Sequence, residues 1–250
     1  GELEPLGLPA GERAHPEMAA FLDTIEPKVS SWLDRPVGAL DTALMPKEHL
    51  TMALHGSLIA NFFNQVQMSA SGAELSSTSL ANEVRGFSRS VSIRDIVATY
   101  VYPNTLTVLR VNRNILKKAL ERSAEYFDSD ESGTVRISER FLLPKAEHYN
   151  FDYISGIEAD IDISRPVGDR VLSIRRNGRE LSSDRSLTLC MNNYRAAGSG
   201  EYDFYANCEV IRSGTIEIAE LIMDYIIQNR RITVDKTRWL TVYNGSEKLS

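Results

Sequence analysis

Four histidines, His15, His49, His55 and His148, are the side chains best suited to bind a metal ion or move a proton near neutral pH. They are scattered, with no HxH pair and no Asn-His-Glu/Asp motif. Metal-assisted hydrolysis needs several such ligands close together. No nucleophile takes their place: the Ser-rich run from Ser69 to Ser79 holds no GxSxG elbow, and no GxxxxGK[ST] phosphate loop is present. Cys190 falls in a strand pattern and Cys208 in a loop. They form no CxxC, so both are expected as free thiols. No catalytic residue and no metal ligand is therefore assigned to this chain. What remains is Tyr102, at the tip of the turn Tyr102-Pro103-Asn104-Thr105, where Pro sets φ and Asn tolerates left-handed geometry. A ring so placed offers a face on which a planar ligand can stack, or is a rim residue with a wet hydroxyl.

The flanking segments must hold that turn. Ala98 to Tyr102 and Leu106 to Val111 are rich in β-branched and aromatic residues and predict two strands joined by a hairpin-like reversal. Asn114 then starts a helix in which Ile115, Leu116, Ala119 and Leu120 repeat near 3.6 residues. Upstream, Pro16 opens a helix with Met18, Phe21, Leu22, Ile25, Val29, Trp32 and Leu33 on one face, which Pro27 is expected to bend or split. A second amphipathic helix carries Leu58, Ile59, Phe62, Phe63 and Val66. A short strand then ends in a loop from Asn82 to Gly86. Asp128 to Val135 reads as a solvated turn, lacking the glutamate spacing of a calcium loop. Beyond Phe151 the pattern is β. Glu158, Asp160 and Asp162 alternate with Ala159, Ile161 and Ile163 as a wet row, Asn177-Gly178 marks a hairpin, and Leu187, Leu189 and Met191 share a face. Ile218 to Ile226 forms a last helix, and Arg231 to Val234 and Trp239 to Tyr243 supply terminal strands. Helices interleaved with hairpin-joined strands make this an α+β chain with a mixed or antiparallel sheet.

With 250 residues, 42% hydrophobic and 25% charged, the chain can bury a substantial core. A formal charge of −6 argues against a protein that grips nucleic-acid polymers. No apolar run is long enough for a membrane span. The N-terminus lacks the basic and apolar regions of a signal peptide, and a start without Met in Pro/Gly/Glu-rich sequence favours a piece of a longer precursor.

Taken in order, Leu80-Ala81-Asn82-Glu83-Val84-Arg85-Gly86-Phe87, the run from Val101 to Phe127, Asn150 to Val171, and Met191-Asn192-Asn193-Tyr194-Arg195-Ala196-Ala197-Gly198-Ser199-Gly200-Glu201-Tyr202 resemble the C-terminal domain of the 5′-nucleotidase family. The look is that of its 2′,3′-cyclic-nucleotide 2′-phosphodiesterase/3′-nucleotidase branch, over about residues 50 to 239. The resemblance implies mixed β layers flanked by helices, residues 1–40 as an interdomain connector helix and 41–250 as a nucleoside-recognition domain. It implies a secreted, periplasmic or cell-wall-associated metallophosphoesterase whose divalent metal pair sits in an N-terminal domain outside this chain. The ligand would be a nucleoside or nucleotide, its base held between two aromatic rings from separate loops. On that reading Tyr102 and Tyr202 form the clamp, and Gly198 and Gly200 let the loop backbone approach the ligand. Asn82 and Arg85 reach toward base, sugar or phosphate. Arg85 either meets a phosphate or forms a surface ion pair with Glu83 or Asp95, and Asn104 either bonds a base edge or caps its own turn. Asn192-Asn193 reads as scaffolding that aims Tyr202. Glu83 and Val84 stand where many nucleotidases carry glycines. This keeps open the alternative of a non-catalytic binding or spacer module that kept the fold.

Overall fold

The computed structural model describes residues 16–130 and 132–249. Helix α1 (Pro16–Leu33) runs through Pro27 without a break and buries none of its residues. Strand β1 (Pro36–Leu40), which the sequence reading placed in the connector, is hydrogen-bonded into a three-stranded sheet of the domain. Next come α2 (His49–His55), α3 (Leu58–Ser71) and β2 (Leu75–Ser79). The Ser57 hydroxyl caps α3, and Ile59, Phe62, Phe63 and Val66 are buried. Fully burying each large apolar side chain is worth about 1.5–3 kcal/mol.

After β3 (Ser90–Ser92), the segment Ile93–Thr99 is a helix, α4, so the turn at Tyr102 joins a helix to a strand rather than two strands. Local chemistry decides this. The Ser92 side chain accepts from the Asp95 amide while the Asp95 carboxylate takes the Ser92 amide, a reciprocal capping box that outweighs the β propensity of Ile93, Ile96 and Val97. Strand β4 (Thr105–Asn112) leads into α5 (Arg113–Ala124). The cap of α5 is Asn112, whose Oδ1 accepts from the Ile115 amide at 3.1 Å, and not Asn114. The hairpin of β5 (Phe127–Ser129) and β6 (Val135–Ile137) follows.

Then come β7 (Asp152–Ser155), β8 (Glu158–Asp162), β9 (Val171–Arg176), β10 (Arg179–Glu180) and β11 (Ser186–Asn192). The β9–β10 turn places Asn177 at φ 53° and Gly178 at φ 71°, the geometry that Asn-Gly tolerates. The chain closes with α6 (Asn193–Ala196), β12 (Val210–Glu217), α7 (Ile218–Asn229), β13 (Arg231–Ile232), β14 (Leu240–Asn244) and β15 (Glu247–Lys248).

The architecture is α+β. The central sheet has the order β12-β4-β11-β2-β7; its strands from β4 to β7 are largely buried, while the edge strand β12 is exposed. Leu109, Val111, Leu187, Leu189 and Met191 face a core shared with α5 and the second sheet, β10-β9-β8-β14-β15. Leu106, Val108 and Cys190 face the opposite way, into a core shared with α3 and α7. Of the acids on β8, Asp160 pairs with Arg175 and Asp162 accepts from Ser164 and Gly245, so the row is an ion-paired and turn-holding face.

Candidate functional site

Strands β2 and β11 are parallel, so Ser79 and Asn192 end at the same edge of the central sheet. The antiparallel neighbours β4 and β7 begin there, with Asn192 opposite Leu106 and Ser79 opposite Asp152. Four chain reversals therefore meet at one rim. They enclose a cleft of about 300 Å³ lined by Ser79, Tyr102, Asn104, Tyr149, Asn192 and Tyr194. No charged side chain is among these six. Tyr102 and Tyr194 are 41% and 47% exposed, which leaves ring surface available. None of the three cleft tyrosines makes a ring contact with another among the described residues, as rings with space between them must. Burial raises the pKa of the Tyr102 hydroxyl, and the neighbouring Tyr149 and Tyr194 raise it further.

Each ring is held from behind. The Asn104 amide donates to the Tyr102 carbonyl at 2.8 Å and the Ile218 amide to the Asn104 carbonyl at 2.9 Å, which set the turn. Asn193 Oδ1 accepts from the Thr105 amide at 3.0 Å, lacing the short helix that carries Tyr194 to the turn that carries Tyr102. Tyr149 precedes β7. Its carbonyl accepts from Arg195 Nη2 at 2.9 Å, and its hydroxyl lies beside the Lys145 ammonium, whose pKa that contact raises.

Beneath the cleft is a buried ion pair. Arg195 and Asp152 have side chains only 2% and 1% exposed and meet at 2.9 Å, with a second contact from Arg195 Nε at 3.0 Å. Desolvation disfavours the guanidinium charge, but Asp152 together with Tyr202 and Tyr205 outweighs it and the pKa of Arg195 is raised. The Ser77 hydroxyl donates to the same carboxylate at 2.9 Å. Arg195 also donates to the Ser199 carbonyl and lies over the Tyr202 ring, 4.1 Å from its centroid.

Tyr202 is accordingly not a cleft residue. It is fully buried, parallel to Tyr205 at 5.8 Å, and its hydroxyl meets Ser123 at 2.9 Å and donates to the Asn150 carbonyl at 3.1 Å. With one face under Arg195, the ring is not available to a base. Tyr194, eight residues earlier on α6, lines the cleft together with Tyr102. Gly198 and Gly200 do not line the cleft either. Their φ values of 93° and 74° build the turn, and a Cβ on Gly200 would fall 2.2 Å from Arg195 Nη1, so the close approach is to the buried arginine and not to a ligand.

Asn82 is a latch rather than a ligand-reaching residue. Its Nδ2 donates to the Ala146 carbonyl at 2.7 Å and its Oδ1 accepts from the His148 amide at 3.0 Å, fixing the segment that presents Tyr149. Arg85 is exposed, does not line the cleft and makes no ion pair among the described residues; Asp95 is committed to its capping box. Asn104 does line the cleft. The sequence reading missed Ser79, Tyr149, Asn192 and Tyr194. For Tyr194 a signal existed: Asn192 is a capping residue, and a tyrosine two positions into a short helix stands clear of it.

Among the described residues no three of His, Cys, Asp and Glu come together in a way that could hold a metal ion, so a divalent metal pair finds no fitting donor set there. The histidines nearest the cleft pack on each other instead. His49 and His148 stack at 4.0 Å and 11°, His49 Nε2 donates to the Asn82 carbonyl at 2.8 Å, and the Tyr126 hydroxyl meets His148 Nδ1 at 2.6 Å. Burial, with His49 alongside, lowers the pKa of His148 to about 4.

The unfolded chain, with histidine near 6.5, therefore binds more protons than the folded one between pH 6.5 and 4. The stabilisation is fully present above that window and is lost as pH falls through it. On the order of 1–2 kcal/mol should disappear, once solvent screening of this half-buried ring is allowed for. Urea midpoints measured from pH 7 to 4 for the parent and for His148→Phe check this. An equal acid decline in the two proteins would refute it.

The cleft presents aromatic faces and uncharged polar edges. The family model described as 5′-nucleotidase, C-terminal domain, matches residues 36–207. A 2′,3′-cyclic-nucleotide 2′-phosphodiesterase/3′-nucleotidase of Yersinia enterocolitica is 27% identical over 128 residues, covering 44% of this chain and 20% of that protein. A trifunctional nucleotide phosphoesterase protein of Bacillus subtilis is 23% identical over 154 residues, covering 57% of this chain and 10% of that one. A solved Staphylococcus aureus protein described as a 5′-nucleotidase, in complex with alpha-ketoglutarate, superposes with a TM-score of 0.85 at 30% identity, over 94% of this chain and 45% of that one. This chain therefore spans less than half the length of each of these relatives. Among the described residues no helix is long and apolar enough to cross a membrane. The fold, the ordered motifs and a family match over well more than half its length make this chain a member of the 5′-nucleotidase C-terminal domain family.

Proposed function

We propose that this chain is the nucleoside-recognition domain of a metal-dependent nucleotide phosphoesterase acting on 2′,3′-cyclic nucleotides or nucleoside monophosphates. The metal pair and the hydrolytic step belong to a metallophosphoesterase domain of a longer protein outside the cytoplasm. The observation that carries this reading is the uncharged cleft in which Tyr102, Tyr149 and Tyr194 converge. Aromatic faces stack on any base for ~1–3 kcal/mol each, which binds nucleotides as a class. With no charged side chain among its lining residues, the cleft would hold the base and leave the phosphate outside, where Arg85 is the candidate for a charge-assisted hydrogen bond.

Calorimetric titration of the chain with adenosine and with ribose 5-phosphate tests the reading. Adenosine is expected to bind at millimolar concentration or below, and ribose 5-phosphate, which lacks a base, at least tenfold more weakly. Equal binding of the two, or failure of adenosine to bind, would leave the chain as a spacer that kept the fold.

A further inference from the structure

Asn192 is a cleft residue whose hydrogen-bonding orientation is set by the fold. It caps α6, and its Oδ1 accepts from the Arg195 amide at 2.7 Å. Only the oxygen can accept from a backbone N–H, so the side-chain amide cannot flip. Its Nδ2 is left on the other side, without a protein partner among the described residues, on a side chain that lines the cleft and is otherwise buried. An amide nitrogen only donates. The Tyr149 hydroxyl, which also lines the cleft, can donate or accept and fixes no polarity. The Ser79 hydroxyl can act either way and does not discriminate.

Resting on the nucleoside-binding reading above, we propose that Asn192 is a specificity-determining residue, whose fixed donor selects bases with an oxo group at pyrimidine C4 or purine C6, uracil and hypoxanthine, over cytosine and adenine, which carry an amino group there. An oxo oxygen accepts the Asn192 N–H. An exocyclic amino group in that place sets donor against donor and leaves both unpaired on desolvation, which is how polar sites reject near-isosteric ligands.

The test titrates the full chain with inosine, adenosine, uridine and cytidine, then repeats the series with Asn192→Asp. Aspartate caps a helix as well as asparagine does, so the variant keeps the capping oxygen and exchanges the donor for a negatively charged acceptor. The parent is expected to favour inosine over adenosine and uridine over cytidine by roughly 3- to 10-fold, the value of one neutral hydrogen bond. In Asn192→Asp that preference should vanish or invert. If the aspartate variant does not fold, Asn192→Ser, another capping residue, should lose the preference without inversion. Equal binding within each pair by the parent overturns the selectivity alone, as does an unchanged order in the variant or a loss equal for all four ligands. A parent that binds none of the four overturns the nucleoside reading itself.

Discussion

Replacing Arg195 with methionine is expected to lower folding stability by about 3–5 kcal/mol, because it leaves the Asp152 carboxylate buried without its partner. The loss is not one contact. The Tyr149 and Ser199 carbonyls lose their donor and the Tyr202 ring loses the cation above it. Methionine fills much of the volume, so the cost reports charge and hydrogen bonding more than a cavity. Asp152→Asn in the same background removes the stranded charge and should recover part of the loss, a coupling that a double-mutant cycle isolates. Urea unfolding of the four proteins measures it. A loss below about 1 kcal/mol for Arg195→Met would show that the buried pair is not what holds the cleft floor.

Tyr102→Ala and Tyr194→Ala should each weaken nucleoside binding roughly 5- to 150-fold, since stacking on one ring is worth ~1–3 kcal/mol and each 1.4 kcal/mol is tenfold. Phenylalanine at either position should retain most of the affinity, because stacking uses the ring face. A role carried by the hydroxyl would make Phe as damaging as Ala. Tyr202→Leu is the contrast. It removes a buried ring stacked on Tyr205 and two hydroxyl hydrogen bonds, so the unfolding midpoint should drop while the folded protein keeps its affinity. If the alanine variants at 102 and 194 bind as the parent does, or if Tyr202→Leu alone abolishes binding of the folded protein, the clamp drawn from this geometry is wrong.

Tyr194 and Tyr202 also show where reading the chain stopped. Both lie on one loop, both are tyrosines, and both sit inside the motif that carries the family resemblance. Which one faces solvent depends on two left-handed glycines that turn Tyr202 inward onto Arg195, and on a capped four-residue helix that carries Tyr194 outward. Irregular backbone has no period, so the direction of a side chain along it cannot be counted off. Tyr149 had no local signal at all. It is delivered to the cleft by Asn82 and Arg195, 67 and 46 positions away in the chain.

What the amino-acid order determined by itself were the features whose cause is local. The apolar stripe of α3, the alternation along β8 and the Asn177-Gly178 turn all follow from spacing or from the φ preferences of a few residues. The α4 helix lay at the margin, since a capping box three residues wide overrode the β propensity that follows it. Only the tertiary structure decided the clamp partner, the latch role of Asn82 and the donor orientation of Asn192. Each of these depends on which distant group occupies the remaining hydrogen-bonding or stacking face of the side chain, and that is settled when the sheet brings the four reversals to one edge.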